Sequence, residues 1–402
     1  MTGPGSLAEL REREYLCRQE TGALRARIYA GPAAARSSGL LAELSRQEAL
    51  LGELSAQRAR VESERDEQAE EVRGRLSTGL EVDVRLRMSH VPTAICHLFD
   101  PARRPLVSVH VANAKGLETR RIRVTSYVDG YSARAVDTVE LDDGDEQTID
   151  QFPTMFPAKV RTVTELTAAT LNVLVEDLDG RPEFHTTRVV RLLARTTAPL
   201  AVVDPSTQAL TDLSGYLGAF VTPNAAEVMS FVRTAAAHHP GERLEGYQAS
   251  PEQVEPQVRA VVAALRENGL RYVNSVTAFS PDDGGLRQRV RLPRESLADR
   301  QANCVDATVL LASLLEAISL SPAIVVVPGH ALLGWETWRL SDEWRYLETD
   351  VLASATFEEA RAEGERLVAQ YRPPDPAVND PFRLRRWPLR VLRAAHGVTP
   401  ME

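Results

Sequence analysis

The 402-residue sequence predicts an α+β multidomain chain with three unequal folded regions and a short tail. Three observations predict it. Leucines recur at helical spacing through residues 1–79, polar and apolar residues alternate in short runs from Leu80 to about residue 197, and helices mix with short strands beyond residue 205. The regions read as a helical hairpin or coiled-coil arm (1–79), an immunoglobulin-like β-sandwich (80–197), an α+β domain (205–371) and a Pro/Arg-rich tail (372–402).

In the arm, Ser6 can cap a helix running to about Ala30, where Gly31-Pro32 ends it. A second helix starts near Ser38. Leu40, Leu44, Leu51, Leu54 and Val61 lie on one face, continued by Val72 and Leu76. Gln47, Arg58, Arg65 and Gln68 break the seam, which favours a hairpin packed on itself or on a protein partner over a long two-stranded coil. The period then changes to two at Leu80, Val82, Val84, Leu86 and Met88. Strand-like runs follow from Leu106, Arg121, Tyr131, Thr170 and Phe184, separated by turn signals at Asp142-Asp143-Gly144 and Asp179-Gly180. Short strands without intervening helices are the pattern of an antiparallel sandwich. His90, His97, His110 and His185 are scattered through it and assemble no reactive site.

Residues 198–205 read as a linker. Asn224 then offers a helix cap with Glu227 three residues on, His238-His239 close that helix, and a further helix spans about Pro251 to Asn268 before Gly269. In the tail, Arg383, Arg385, Arg386, Arg390 and Arg393 form the basic cluster of an acidic chain, and packing against the chain's own acids is the favoured reading.

Composition bounds the function. The chain carries 47 basic and 56 acidic residues, a formal charge of -9, and every base except Lys115 and Lys159 is arginine. The acid excess argues against a nucleic-acid partner. Cys17, Cys96 and Cys304 are far apart and odd in number, so no disulfide framework, metal pair or cofactor is expected. The N-terminal residues lack a secretory pattern and no apolar run approaches ~18 residues, so a cytoplasmic protein without membrane contact is expected.

The chemistry concentrates between Leu292 and Asp350. Cys304 opens a helix, to about Ile318, that is apolar nearly all round and therefore buried. Pro322 stops that helix, Ala323–Val327 forms a strand, and Pro328-Gly329 turns the chain so that His330 starts the next strand. A third strand runs from Trp344 to Asp350. A buried helix leading into such a meander can set a thiol, an imidazole and a carboxylate side by side, as nucleophilic catalysis requires.

The runs NCVDATVLLASLLEA, PGHALLGW and W-x-x-L-E-T resemble the transglutaminase-like branch of the papain-like cysteine-enzyme superfamily, its bacterial members in particular. The resemblance spans about residues 207–367, including YVNSVTAF and QRVRLPRESL. It implies a papain-type α+β domain with Cys304 as nucleophile, His330 as base and Glu348 as the orienting acid, a position where most relatives carry Asp. Asp350, where relatives carry Thr, is the alternative third member. Ser319 stands at a helix end where relatives prefer Gly, and the Cys–His spacing of 26 residues is short. Gln301, Asn303 and Asn274 are candidates to assist the Cys304 amide in an oxyanion hole, and each also suits a cap or surface role. Trp335, Trp338 and Trp344 fit packing better than a substrate wall. The implied activity is hydrolysis of a peptide or amide bond in a protein or peptide substrate through a thioester acyl-enzyme. Transamidation or deamidation of protein glutamine, or a catalytically silent partner-binding scaffold, are the alternatives.

Overall fold

The computed structural model describes residues 38–73, 80–113, 118–178, 181–203, 210–248, 250–273, 277–279, 285–372 and 384–401, with several helical positions between 10 and 24. The chain is a mixed α/β protein with several separate sheets, the layout of an α+β multidomain molecule. No described helix is long and apolar enough to cross a membrane.

Helix α1 (Ser38–Arg73) packs against the helical residues before it. Leu10 and Cys17 meet Leu51 and Leu54, whereas Leu24 meets Leu44 and Leu40, so the two segments run antiparallel as a hairpin. Two of the polar residues that interrupt the apolar seam, Gln47 and Arg58, tie the hairpin together. The Gln47 carbonyls accept from the Cys17 thiol, and buried Glu14 accepts from Arg18, Arg58 and the Ser55 hydroxyl. Burial opposes the Glu14 charge, but those donors outweigh it and hold its carboxyl below the usual range. Ser6, Leu76 and the side chains of Val61, Arg65, Gln68 and Val72 lie outside the described residues.

Two sheets then face each other across one core. The first contains β1 (Leu80–Leu86), β3 (Val107–Asn113) and β6 (Glu146–Gln151); the second has the order β2-β8-β7-β4-β5, from β2 (His90–Val91), β4 (Arg120–Val128), β5 (Ala135–Leu141), β7 (Thr167–Asp177) and β8 (Arg181–Leu192). Registers such as Val82↔Val111 and Val124↔Val175 put alternate apolar side chains inside. Val109, Val111 and Ile149 from one sheet meet Val124, Val173 and Val190 from the other. Strand β6, EQTIDQ, is absent from the sequence expectation because its polar residues hide the alternation; only Ile149 and Gln151 are buried. One helical turn, α2 (Pro157–Val160), lies between β6 and β7.

Residues 92–99 join this core to the larger one that follows. Ala94 and Ile95 belong to the larger core, Cys96 to the sandwich, and Phe99 packs edge-on against Phe152 at 5.4 Å and Tyr216 at 6.4 Å.

Most of the expected linker is a strand. Strand β9 (Thr197–Val203) pairs with β10 (Leu210–Asp212) and β13 (Gly285–Arg289), which in turn pairs with β12 (Thr277–Phe279). Prolines at 199 and 205 gave the segment its linker look. Pro199 sits at a bulge opposite Arg287, where a strand tolerates proline, and Pro205 lies outside the described residues. Helices α3 (Ala226–Ala236) and α4 (Val254–Glu267) come next. The expected Asn224 cap is not made: Ala225 holds the N-cap position and no side chain caps the helix, which therefore starts one residue later than the capping-box spacing implies. His238 pairs with Glu267 at 3.0 Å, and Gly269 follows α4 with φ +80°.

Strand β11 (Arg271–Tyr272) pairs in parallel with β14 (Gln301–Ala302), with α5 (Pro293–Asp299) between them. The central helix α6 (Cys304–Ala317) buries Val305, Val309, Leu310, Leu311, Leu314 and Leu315. Just past its end Ser319 takes φ +63°, the left-handed conformation that favours glycine, so the serine there carries a local backbone cost. The meander of β15 (Pro322–Val327), β16 (His330–Glu336) and β17 (Trp344–Leu347) follows, with α7 (Phe357–Tyr371) against it.

Residues 384–401 are not a detached tail. Strand β18 (Arg385–Pro388) completes the sheet β17-β16-β15-β18, and α8 (Leu389–His396) buries Leu389 and Leu392 in the larger core. As the favoured reading of the arginine cluster expects, its described members face the chain's own acids. Arg385 meets Asp212 at 3.2 Å, Arg386 meets Asp342 at 3.3 Å, Arg390 meets Glu336 at 3.3 Å and Arg393 meets Glu316 at 3.1 Å. Arg383 lies outside the described residues.

Candidate active site

Helix α6 starts at Cys304 because Asn303 supplies a complete cap. Asn303 Oδ1 accepts from the Asp306 amide at 2.8 Å, and the Asp306 carboxylate accepts from the Asn303 amide at 3.2 Å. Arg291 anchors this box to the preceding loop, donating its own amide and a guanidinium N–H to Asp306, each at 2.8 Å. Asp306 is completely buried, and burial raises its carboxyl pKa against the pull of those donors. The half-buried Cys304 therefore stands at the first helical position. Its amide is one of those no intrahelical carbonyl can reach, and the helix turns its positive end toward any negative charge developing there.

His330 arrives through the tight turn Pro328-Gly329, where Gly329 has φ +72° and Val327 pairs with His330 across the hairpin. The Pro–Gly order is what a type II turn favours. The Nε2–H of His330 donates to Glu348, 2.8 Å from both carboxylate oxygens, and the Asp350 amide donates to Glu348 Oε1 at 2.8 Å. With Nε2 committed to Glu348, Nδ1 is the ring nitrogen left to exchange a proton with a thiol. The Cys304 sulfur lies within 4.8 Å of the imidazole, on the helix side. Burial alone would lower the His330 pKa; the nearby Cys304, the Glu348 hydrogen bonds and the Glu348 charge outweigh it and carry it up to about 11.

Strand β17 ends at Leu347, so Glu348 and Asp350 lie just past it rather than on one strand face. They take different sides of the imidazole: Asp350 Oδ2 is 3.7 Å from Nδ1. Between them, the buried Thr349 hydroxyl lies 3.2 Å from the Cys304 carbonyl and 3.3 Å from the Ala331 carbonyl. One side chain thus ties the nucleophile's helix, the histidine's strand and the acid's segment together. Helix α7 fixes the same segment from outside. The Glu348 amide donates to the Ala360 carbonyl at 2.9 Å, and a Cβ on Gly364 would fall 2.9 Å from the Glu348 nitrogen. Only glycine permits that approach.

Tyr272 completes the rim. The β11–β14 pairing aligns Tyr272 with Ala302, and Tyr272 and Asp350 line one cleft. Burial and the neighbouring Asp350, Cys304 and Glu348 push the Tyr272 phenol up to about 12. Burial likewise raises the Asp350 carboxyl to about 6, with the Glu348 charge adding to it and the His330 charge opposing it. That cleft is shallow and open, lined by Leu270, Tyr272, Ala302, Thr349, Asp350 and Leu352.

Of the residues singled out from sequence, Cys304, His330, Glu348 and Asp350 come together here. Asn303 is committed to the cap; Gln301 is half-buried on β14, with Nε2 3.5 Å from Asp299; Asn274 lies outside the described residues. The tryptophans pack. Trp335 is fully buried beside Phe357, Trp338 meets the Tyr247 ring at 5.5 Å, and Trp344 lies under the Arg386 guanidinium at 4.8 Å. Sequence reasoning missed Tyr272, Thr349 and the Arg291–Asp306 anchor. The first two stand in the quoted runs YVNSVTAF and W-x-x-L-E-T without a role assigned there, and Asp306, a carboxylate three residues past Asn303, offered a capping signal. The sandwich histidines stay outside the site: His97 contacts the Thr399 carbonyl, His110 Thr148, and His185 Asn172.

The arrangement can hold a thiol, a protonatable imidazole and a buried carboxylate in sequence, as acyl-transfer chemistry needs. No protein-family model, curated protein or solved structure matches the chain.

Proposed function

We propose that the chain is a thiol hydrolase acting on peptide or amide bonds, built as an immunoglobulin-like sandwich beside a transglutaminase-like, papain-type α+β domain. The observation that carries this reading is the imidazole of His330. Both Glu348 oxygens hold its Nε2–H at 2.8 Å while the sulfur of Cys304, at the start of a buried helix, lies within 4.8 Å of the ring.

In the reaction, His330 holds the proton of the Cys304–His330 pair and the sulfur attacks the substrate carbonyl carbon. The carbonyl oxygen gains the negative charge, which the Cys304 amide at the helix start stabilises. As the C–N bond breaks, the imidazolium returns the proton to the leaving amine and a thioester forms. Water then loses a proton to His330 and attacks the thioester, releasing the carboxylic acid and the thiol. Glu348 fixes the ring and stabilises the imidazolium throughout. If an amine enters in place of water, the same intermediate yields transamidation.

Wild type and Cys304→Ala are compared by incubation with cell lysate, followed by mapping of new peptide termini and amide modifications. New termini with wild type alone are expected. Equal products from both proteins, together with Cys304 alkylation by iodoacetamide no faster than that of a cysteine in a short peptide, would overturn the reading.

A further inference from the structure

We infer that Cys304, His330 and Asp350 also form a zinc site, and that zinc occupancy switches the thiol off. Among the described residues this is the one group of three Cys, His, Asp or Glu side chains whose donor atoms all lie within 4.8 Å of one another. The donor set is a sulfur, an imidazole nitrogen and a carboxylate oxygen. That mixture suits a borderline-soft ion of the zinc class, whereas calcium and magnesium prefer oxygen alone.

Two further features fit a metal. Zinc-binding histidines almost always donate their second ring N–H to a carboxylate, a carbonyl or water, which fixes the tautomer and makes the ring a better ligand. Glu348 already accepts from Nε2, so Nδ1 is presented toward Cys304 and, at 3.7 Å, toward Asp350 Oδ2. Asp350 Oδ1 is buried without a hydrogen-bond partner, so its carboxylate has an unmet demand for positive charge. Three protein ligands leave a fourth tetrahedral position for water at the half-open Cys304 side. On binding, the proton shared by sulfur and Nδ1 leaves to solvent. Lone pairs on both atoms and on Asp350 then bind the ion; donation to zinc draws charge from the sulfur and lowers its nucleophilicity, and the occupied Nδ1 can no longer exchange a proton with it.

The inference does not depend on amide chemistry. It is tested on the full chain with zinc chloride in competition with a chromophoric chelator. One zinc per chain is expected, with affinity lost in Cys304→Ala and reduced ~10–100-fold in Asp350→Asn, the scale on which zinc sites respond to altered ligands and their supports. Bound zinc should slow iodoacetamide alkylation of Cys304 in wild type at least ~10-fold, reversed by chelation, whereas magnesium should not. Zinc binding of equal strength in Cys304→Ala, or no binding at all, overturns the inference. Rapid alkylation of Cys304 without zinc binding removes the metal site and leaves the thiol hydrolase standing. Zinc binding with a sluggish thiol does the reverse. Because Asp350→Asn keeps shape and size, loss of fold is checked by circular dichroism before its affinity is read.

Discussion

His330 keeps its proton well above neutrality, with a pKa of about 11, because Glu348 and Cys304 surround it with acceptors and negative charge. Replacing Glu348 by Gln keeps the shape and removes the charge. Alkylation of Cys304 at about pH 7 should then slow roughly tenfold or more, about the effect of one pKa unit. An unchanged rate would mean that Glu348 only fills space. Asp350 makes a different prediction. Its carboxyl is raised from the ordinary 3.8 to about 6, so the folded state holds this proton more tightly than the unfolded chain. The resulting stabilisation is complete below about pH 4 and is lost as pH rises through about 6. Denaturant unfolding of wild type should therefore weaken relative to Asp350→Asn across that window and run parallel above it. The expected difference is roughly 1–2 kcal/mol, discounted for the partial exposure of Asp350. Parallel curves at every pH would refute the assignment.

At this scale the sequence was legible where chemistry and local structure coincide. Cys304 follows a capping residue and His330 follows a Pro–Gly turn, so both positions are marked by the backbone signals around them. Glu348 and Asp350 were both visible as acids. Their division of labour was not, because it depends on where β17 stops. Tyr272 and Thr349 stood in quoted runs, but their roles were illegible because they come from a parallel strand pair and a three-way contact, neither of which leaves a periodic trace.

Among the elements, α7 and β17 depend on one residue. A methyl group at Gly364 would sit 2.8 Å from the Leu347 nitrogen and 2.9 Å from the Glu348 nitrogen, both backbone atoms with little room to yield. Gly364→Ala should destabilise the fold by about 1–3 kcal/mol through overpacking, despite alanine's better helix propensity. It should also slow Cys304 alkylation, because Glu348 is held to α7 through Ala360. A more stable variant with full thiol reactivity would refute this close packing. Elements with strong patterns, such as β4, β7, α4 and α6, were legible in sequence. Strand β6 was masked by its polar residues, β9 by its proline and β18 by its arginines. In each case tertiary pairing overrode the local pattern.

At the scale of the whole molecule, β18 and α8 close the larger core from the far end of the chain. Deleting residues from 384 onward leaves the β15 edge unpaired, removes Leu389, Leu392 and Val398 from the core, and leaves Glu336, fully buried, without its contact to Arg390. Such a chain should lose cooperative thermal unfolding of this region and become sensitive to limited proteolysis. A protease-resistant product with rapid Cys304 alkylation would contradict an integral role for the segment.

The late position of β18 also gives the site a clock. During synthesis the sandwich leaves the ribosome before Cys304, His330 and Glu348. The sheet beneath them is complete only when residues 385–388 emerge and pair with Val326 to Ala323. Until then a nascent chain carries its thiol without the finished scaffold that orients the imidazole. Reactivity would thus be withheld until residues 385–388 have been made and have paired with β15.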